Sequence, residues 1–151
     1  MQEWVPEGES VKEWTQMITV TGAKDLANNP NGTPQRFVES MAAGYRKACP
    51  SSFSAVTFRA GKMSGYDAFS AIVSCGSSPL TDGRTSEAAM IMAIKAQHDY
   101  YTIQWAHRGA ASATSIVVDA ASWTQRFRAL APIKICALVP GEAAPYPSCV
   151  G

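Results

Sequence analysis

Hydrophobic and polar positions alternate most clearly between Met90 and Trp105, on both sides of the dipeptide Gln97-His98. This alternation predicts two antiparallel strands joined by a two-residue turn at that dipeptide. The register pairs Ile94 with Tyr101, Met92 with Ile103 and Met90 with Trp105 on one face, and Lys95 with Tyr100, Ala93 with Thr102 and Ile91 with Gln104 on the other. We expect the first face to lie on the core and the second to be wetter or covered by a helix.

Three further segments have the composition of strands. Residues 13–21 alternate after an extended lead-in, residues 1–12, and predict a half-buried strand. Residues 53–59 and 67–75 are rich in β-prone side chains and predict a second hairpin, centred at residues 62–63.

Two segments show helical spacing. Thr33 and Pro34 provide an N-cap and a first helical residue, and Pro50 ends the helix. Ser122 opens a capping box for a second helix, which Pro132 closes. The residues expected to face inward in this second helix are Trp123, Phe127, Leu130 and Ala131.

The predicted element order is β-α-β-β-β-β-α. This order is typical of an α+β fold, with a mainly antiparallel sheet of about five strands and two helices packed on it. Residues 133–139 have the composition of a short last strand, and residues 140–151 are expected to form an irregular tail. No linker divides the chain, so residues 1–151 are expected to form a single domain.

The four cysteines are widely and irregularly spaced, without a CxxC pair. This spacing favours a disulfide framework in an oxidising compartment over a zinc ribbon or a redox site. The hairpin register favours a Cys49 to Cys75 bridge and leaves Cys136 with Cys149, although four cysteines allow three connectivities. We therefore expect a periplasmic or secreted protein whose signal peptide has been removed, the alternative being four buried reduced thiols.

Charge and composition limit the classes of partner that the protein is expected to bind. The 151 residues carry a formal net charge of +1 with both signs dispersed, which argues against nucleic acid and anionic lipid as partners. No apolar run approaches the length that spans a membrane. We find no nucleotide-binding or metal-binding motif and expect no cofactor and no metal, with a single calcium ion at Asp82 or at residues 28–31 left open.

The chain offers few groups for catalysis. Its two histidines are His98, in the predicted turn, and His107, just past a strand end. His98 and Asp99 are adjacent in a turn, where neighbouring side chains usually point apart, and no GxSxG elbow is present. We expect no enzyme activity; an enzyme of unrecognised class that uses His98 or His107 remains as an alternative.

Two segments have features typical of sites that bind another protein. The hairpin tip at residues 62–67 presents a tyrosine, an efficient contact residue, and residues 76–87 form a long polar loop. The alternative for both is an ordinary solvated turn. The candidate partner-binding residues are Met63, Ser64, Tyr66, Asp67, Asp82 and Arg84.

The element order and the short tryptophan-containing first strand resemble the PsbP-like α-β-α group over residues 13–138. That group includes small exported bacterial domains and some immunity proteins of type VI secretion systems. Residues 64–69 are also similar to the SGxxY loop of periplasmic lysozyme inhibitors, but Ala68 stands where that motif has its tyrosine. The inhibitory role is therefore not carried over to Ser64.

We expect a non-enzymatic exported binding protein, specifically an immunity or inhibitor protein that neutralises a periplasmic hydrolytic toxin. The main alternative is a periplasmic small-ligand or lipid-binding domain, or an accessory subunit of an envelope complex. That alternative requires an apolar pocket beneath Tyr100 and Trp105, with Tyr101 beside them.

Overall fold

A computed structural model describes residues 1–150 of the protein. It contains one six-stranded antiparallel sheet with the order β1-β2-β6-β5-β4-β3, so the predicted α+β class is confirmed. The strands are β1 (Gln2–Trp4), β2 (Gln16–Ala23), β3 (Phe53–Met63), β4 (Tyr66–Cys75), β5 (Thr85–Lys95) and β6 (Tyr100–Ala110). The helices are α1 (Pro34–Ala48), α2 (Ala120–Leu130) and α3 (Pro147–Val150).

Helices cover both faces of the sheet. Val38 of α1 packs on the face that includes Ile91, whereas Trp123 and Phe127 of α2 pack on the face that includes Met92. On β5, Ala89 and Ala93 lie on the side that α1 approaches, on either side of Ile91, whereas the larger Met90, Met92 and Ile94 lie on the side of α2. Of the two possibilities expected for this face, wetter or covered by a helix, the second is confirmed, because α1 covers it.

The predicted β5–β6 register is confirmed at every pair. Ile94 lies opposite Tyr101 and Lys95 opposite Tyr100, and the turn closes with the Ala96 amide donating to the Asp99 carbonyl at 3.0 Å. The alternation succeeds as a guide because a slip of one residue would exchange the two sheet faces.

The β3–β4 hairpin forms, but its centre lies two residues beyond the predicted one. Met63 pairs with Tyr66, so Ser64 and Gly65 form the turn, with φ values of 53° and 81°. Two consecutive positive φ angles match the strand twist, and Ser-Gly adopts them more readily than Lys-Met. A bulge at Phe58 shifts the register further along the strand.

Both expected disulfides are present, Cys49–Cys75 and Cys136–Cys149. The reason for the first differs from the prediction, because Cys49 caps the C-terminus of α1 and Phe53 is the residue opposite Cys75. The bridge therefore joins the end of a helix to the end of β4.

The predicted N-cap is confirmed for α1 and wrong for α2. The Thr33 hydroxyl caps α1 as predicted and accepts from the Arg36 amide at 3.1 Å. The predicted Ser122 cap is wrong, because α2 begins at Ala120 and Asp119 accepts from the Ala121 and Ser122 amides. Aspartate is as good an N-cap as serine, and it precedes the capping box by three residues.

The chain ends also depart from expectation. Part of the lead-in forms β1, which pairs with β2 and adds a sixth strand. Residues 133–139 form no strand; instead Ile133 and Ile135 pack against the core beneath α2. The tail contains the short helix α3. Among residues 1–150, no helix combines the length and apolar character needed to cross a bilayer.

The two disulfides should differ in reactivity. Cys49 and Cys75 are buried, whereas Cys136 is exposed and Cys149 is half-buried. Mild reductant followed by alkylation and mass spectrometry should label Cys136 and Cys149 first. Simultaneous labelling of all four thiols would contradict this order.

The buried bridge should also contribute to stability. Replacing both Cys49 and Cys75 with alanine should lower the free energy of unfolding by about 3 kcal/mol, given their 26-residue separation.

Candidate functional site

The predicted partner-binding residues fall at opposite ends of the sheet. Met63, Ser64, Tyr66 and Asp67 lie at the β3–β4 turn, and the loop with Asp82 and Arg84 follows the other end of β4. The ten residues of β4 span about 30 Å, so the structure does not bring the two groups together.

The hairpin tip is docked on the body of the protein. Met63 and Tyr66 are half-buried and pack against the core beneath α2. The Ser64 hydroxyl accepts from the Ile135 amide at 3.0 Å. Asp67 is exposed and pairs with Lys62 at 2.6 Å. The tip therefore presents less free apolar surface than the sequence predicts.

The loop between β4 and β5 is held by its own hydrogen bonds. The Thr81 hydroxyl donates to the Ser78 carbonyl at 3.2 Å and accepts from the Thr85 amide at 3.1 Å. The Gly83 amide donates to the Ser78 carbonyl at 2.9 Å. These bonds fix a short 3₁₀ turn, from which Leu80 projects with 76% of its surface exposed.

A groove lies on each side of Leu80. We call Leu80, Arg84 and these two grooves the loop-end surface. One groove, of about 590 Å³, is mostly polar and lies between the loop and residues 8–15. The other, of about 290 Å³, is mostly apolar and lies between the loop and α1, where it is lined by Met41, Gly44, Tyr45, Ala48, Cys75, Ser78, Pro79, Leu80 and Glu87.

A buried ion pair forms the floor between the grooves. Arg108 Nε donates to Glu87 Oε2 at 3.2 Å, and the two side chains are 10% and 7% exposed. The Tyr45 hydroxyl donates to Glu87 Oε1 at 3.2 Å. The Arg108 guanidinium lies 3.7 Å from the centre of the Trp14 ring. These contacts join α1, β5, β6 and the segment before β2.

The Glu87–Arg108 pair is better suited to holding the surrounding elements in place than to transferring a proton. Both oxygens of Glu87 are engaged, and removing one partner of a buried pair leaves an uncompensated charge. Burial, with the Glu87 carboxylate beside it, raises the pKa of Tyr45 well above its ordinary value. The exposed groups above the floor, Leu80 and Arg84, are the ones available to a partner.

Sequence analysis missed the Glu87–Arg108 pair, although the signal was present. Continuing the predicted β5–β6 register by three residues from Met90 and Trp105 places Glu87 directly opposite Arg108. Opposite charges at directly paired positions of a buried strand predict an ion pair.

The other candidate residues are dispersed. His98 is exposed in the β5–β6 turn, whereas His107 lies near the far end of β6. Burial and the nearby Arg126 lower the pKa of His107. Tyr100 belongs to the core beneath α1 and Trp105 to that beneath α2, so in the part of the chain that the structure describes no pocket lies beneath both. Within residues 1–150, no three His, Cys, Asp or Glu side chains, those near Asp82 included, are grouped to hold a metal ion.

Breaking the buried pair should be costly only while Glu87 is charged. Arg108→Met should lower the free energy of unfolding by about 3–5 kcal/mol at neutral pH, because it leaves the Glu87 carboxylate buried without its cation. The same change in a Glu87→Gln background should cost much less. Denaturant unfolding of the four proteins measures the difference. Arg46→Met, at an exposed arginine, is the control; equal costs in both backgrounds would refute the coupling.

Tyr45 should make stability depend on alkaline pH. The unfolded chain ionises this tyrosine near its ordinary pKa of 10.0, whereas the folded protein keeps the proton to higher pH. The unfolded state then binds fewer protons, so stability falls as pH rises through that value. The stability advantage of the wild type over Tyr45→Phe should shrink between about pH 9 and about pH 11. Denaturant unfolding at each pH measures this difference, and Tyr146→Phe is the control. A stability difference between the wild type and Tyr45→Phe that stayed constant with pH would contradict the prediction.

Comparison with models of known protein families gives no match. No curated protein shows significant similarity to the chain either.

Proposed function

We propose that this protein is a non-enzymatic exported binding protein that neutralises a hydrolytic toxin through its loop-end surface. The observation that carries the proposal is Leu80, a large apolar side chain held in solvent by a hydrogen-bonded loop. A rigid apolar anchor binds with little loss of conformational entropy, which is what a tight inhibitor requires.

The grooves beside Leu80 define the chemistry of the partner. The apolar groove at α1 fits an aliphatic or aromatic side chain. Arg84 Nε donates to the Thr81 carbonyl, while the rest of its guanidinium stands at the polar groove, with Lys12 on the same rim. Glu9 and Glu13 line the same groove, where Glu9 accepts from the Thr15 amide and hydroxyl. A partner segment that presents an apolar side chain to Leu80 and an acidic one to Arg84 and Lys12 would complement this surface.

Three further features support the proposal. The two disulfides are compatible with an oxidising, exported compartment, which for an immunity protein is the periplasm. The α-β-α layering is the arrangement that the resemblance to PsbP-like exported domains implies, and the resemblance itself stays a prediction. Glu87 already accepts hydrogen bonds from Arg108 and Tyr45, which makes this end of the sheet better suited to recognition than to catalysis.

Affinity capture with matched variants tests the proposal. The oxidised protein is immobilised and exposed to the envelope and secreted fractions of its host, and captured proteins are identified by mass spectrometry. We expect a hydrolase in stoichiometric amount, whose activity the wild-type protein inhibits. The double variant Leu80→Asp, Arg84→Glu should lose both capture and inhibition, because it places two negative charges where the apolar anchor and the cation stood.

Two controls locate the contact. Val117→Asp changes another apolar residue, 91% exposed, and should retain capture. Asp67→Ala changes the hairpin tip and should also retain it. Loss of capture with Asp67→Ala alone would move the contact to the tip, and capture of no hydrolase by the wild type would refute the proposed function.

A further inference from the structure

Leu80 and the apolar groove beside it are complementary in shape and chemistry. Leu80 is 76% exposed and is held outward by the hydrogen bonds of its loop. The groove between the loop and α1 has a volume of about 290 Å³, enough for a leucine side chain. Because Leu80 forms one wall of this groove, it cannot also fill it. The same surface therefore presents a protruding apolar side chain and, next to it, an open groove of the kind that such a side chain fits.

The groove is suited to an uncharged side chain. Its walls, from α1 and the loop, are mostly carbon. At Gly44 it is open, since an added β-carbon would meet nothing within 4 Å beyond the helix's own backbone. The Glu87 carboxylate at its floor already accepts from Tyr45 and Arg108. An aliphatic side chain can therefore enter without leaving a polar group unpaired.

The exposed charges of the loop-end surface do not repel a second copy of the protein. Lys12 and Arg84 are the exposed cations of the polar groove, and Glu9 and Glu13 line the same groove. The whole chain carries a formal net charge of only +1. A surface of a single sign would repel its own copy, whereas a surface that carries both signs can meet itself.

A two-fold axis between Leu80 and the apolar groove satisfies both features at once. In such a contact every interaction is made twice, so both grooves are filled and the assembly closes at two copies. We propose that the protein forms this dimer, in which the Leu80 side chain of each copy occupies the apolar groove of the other.

The dimer covers the loop-end surface. A toxin that binds through Leu80 must then displace the second copy, and its apparent affinity falls with the fraction of protein that is monomeric. This competition rests on the proposed function. The dimer itself rests only on the shape and charge of the surface.

Sedimentation of the purified, oxidised protein over a concentration series measures the dimer dissociation constant. Leu80→Asp and Gly44→Leu should each raise it by about a hundredfold or more, because each removes both leucine contacts of the dimer. Gly44→Leu fills the groove, and leucine is a better helix former than glycine, so the fold is kept. Ala43→Leu and Val117→Asp, at exposed positions outside the groove, are the matched controls and should dimerise as the wild type does.

Mixing the two defective variants tests the reciprocal contact. Leu80 of the Gly44→Leu protein can enter the open groove of the Leu80→Asp protein, so a mixed dimer regains one of the two contacts. Fluorescence anisotropy with one variant labelled should show association about tenfold tighter than that of either variant alone. This regain would also show that both variants are folded.

A wild type that stays monomeric at its highest soluble concentration would overturn the proposal, as would a mixture that associates no better than its components. Capture of a hydrolase by a monomeric wild type would leave the proposed function standing without the dimer. Dimerisation without capture of a hydrolase would leave the dimer standing without the proposed function.

Discussion

The burial of strands β4 and β5 on both faces is the constraint on which the rest of the molecule depends. Residues 89–94 of β5 are each at most 2% exposed, so a helix has to pack on each side of the sheet. Ala89 and Ala93 on one face leave room for α1, and Met90, Met92 and Ile94 on the other face pack against α2. Because both faces of β5 are covered, its side chains are kept from partners, whereas a large exposed side chain such as Leu80 lies in a loop at the end of the sheet.

Local signals predicted those parts of the fold in which side-chain alternation and turn chemistry agree. The β5–β6 register and the Thr33 cap are examples, since each depends on residues close together in the chain. The predictions were wrong where the local sequence is compatible with two different structures. Asp119 and Ser122 are both acceptable caps, and the helix starts at the earlier one. Residues 133–139 are β-prone, but their isoleucines find burial under α2 without pairing to a strand.

The candidate sites were less accessible to prediction for a different reason. The Glu87–Arg108 pair follows from a register that the sequence reveals, but its contacts with Tyr45 and Trp14 come from elements distant in the chain. Among residues 1–150, the buried Tyr100 hydroxyl has no hydrogen-bond partner, and this depends on all the elements packed around it, which no sequence pattern encodes. The Leu80 side chain is exposed because the hydrogen bonds of its loop hold it outward.

The bulge at Phe58 also affects how the sheet ends. Strand β3 is an edge of eleven residues, long enough to recruit a strand from another molecule. The bulge interrupts its regular ladder, and it is followed by the cations Arg59 and Lys62, while the Ser115 hydroxyl donates to the Phe53 carbonyl at the other end. The bulged residue Phe58, whose ring packs edge-on against Phe127, thus also makes β3 a poorer template for pairing with a strand of another molecule.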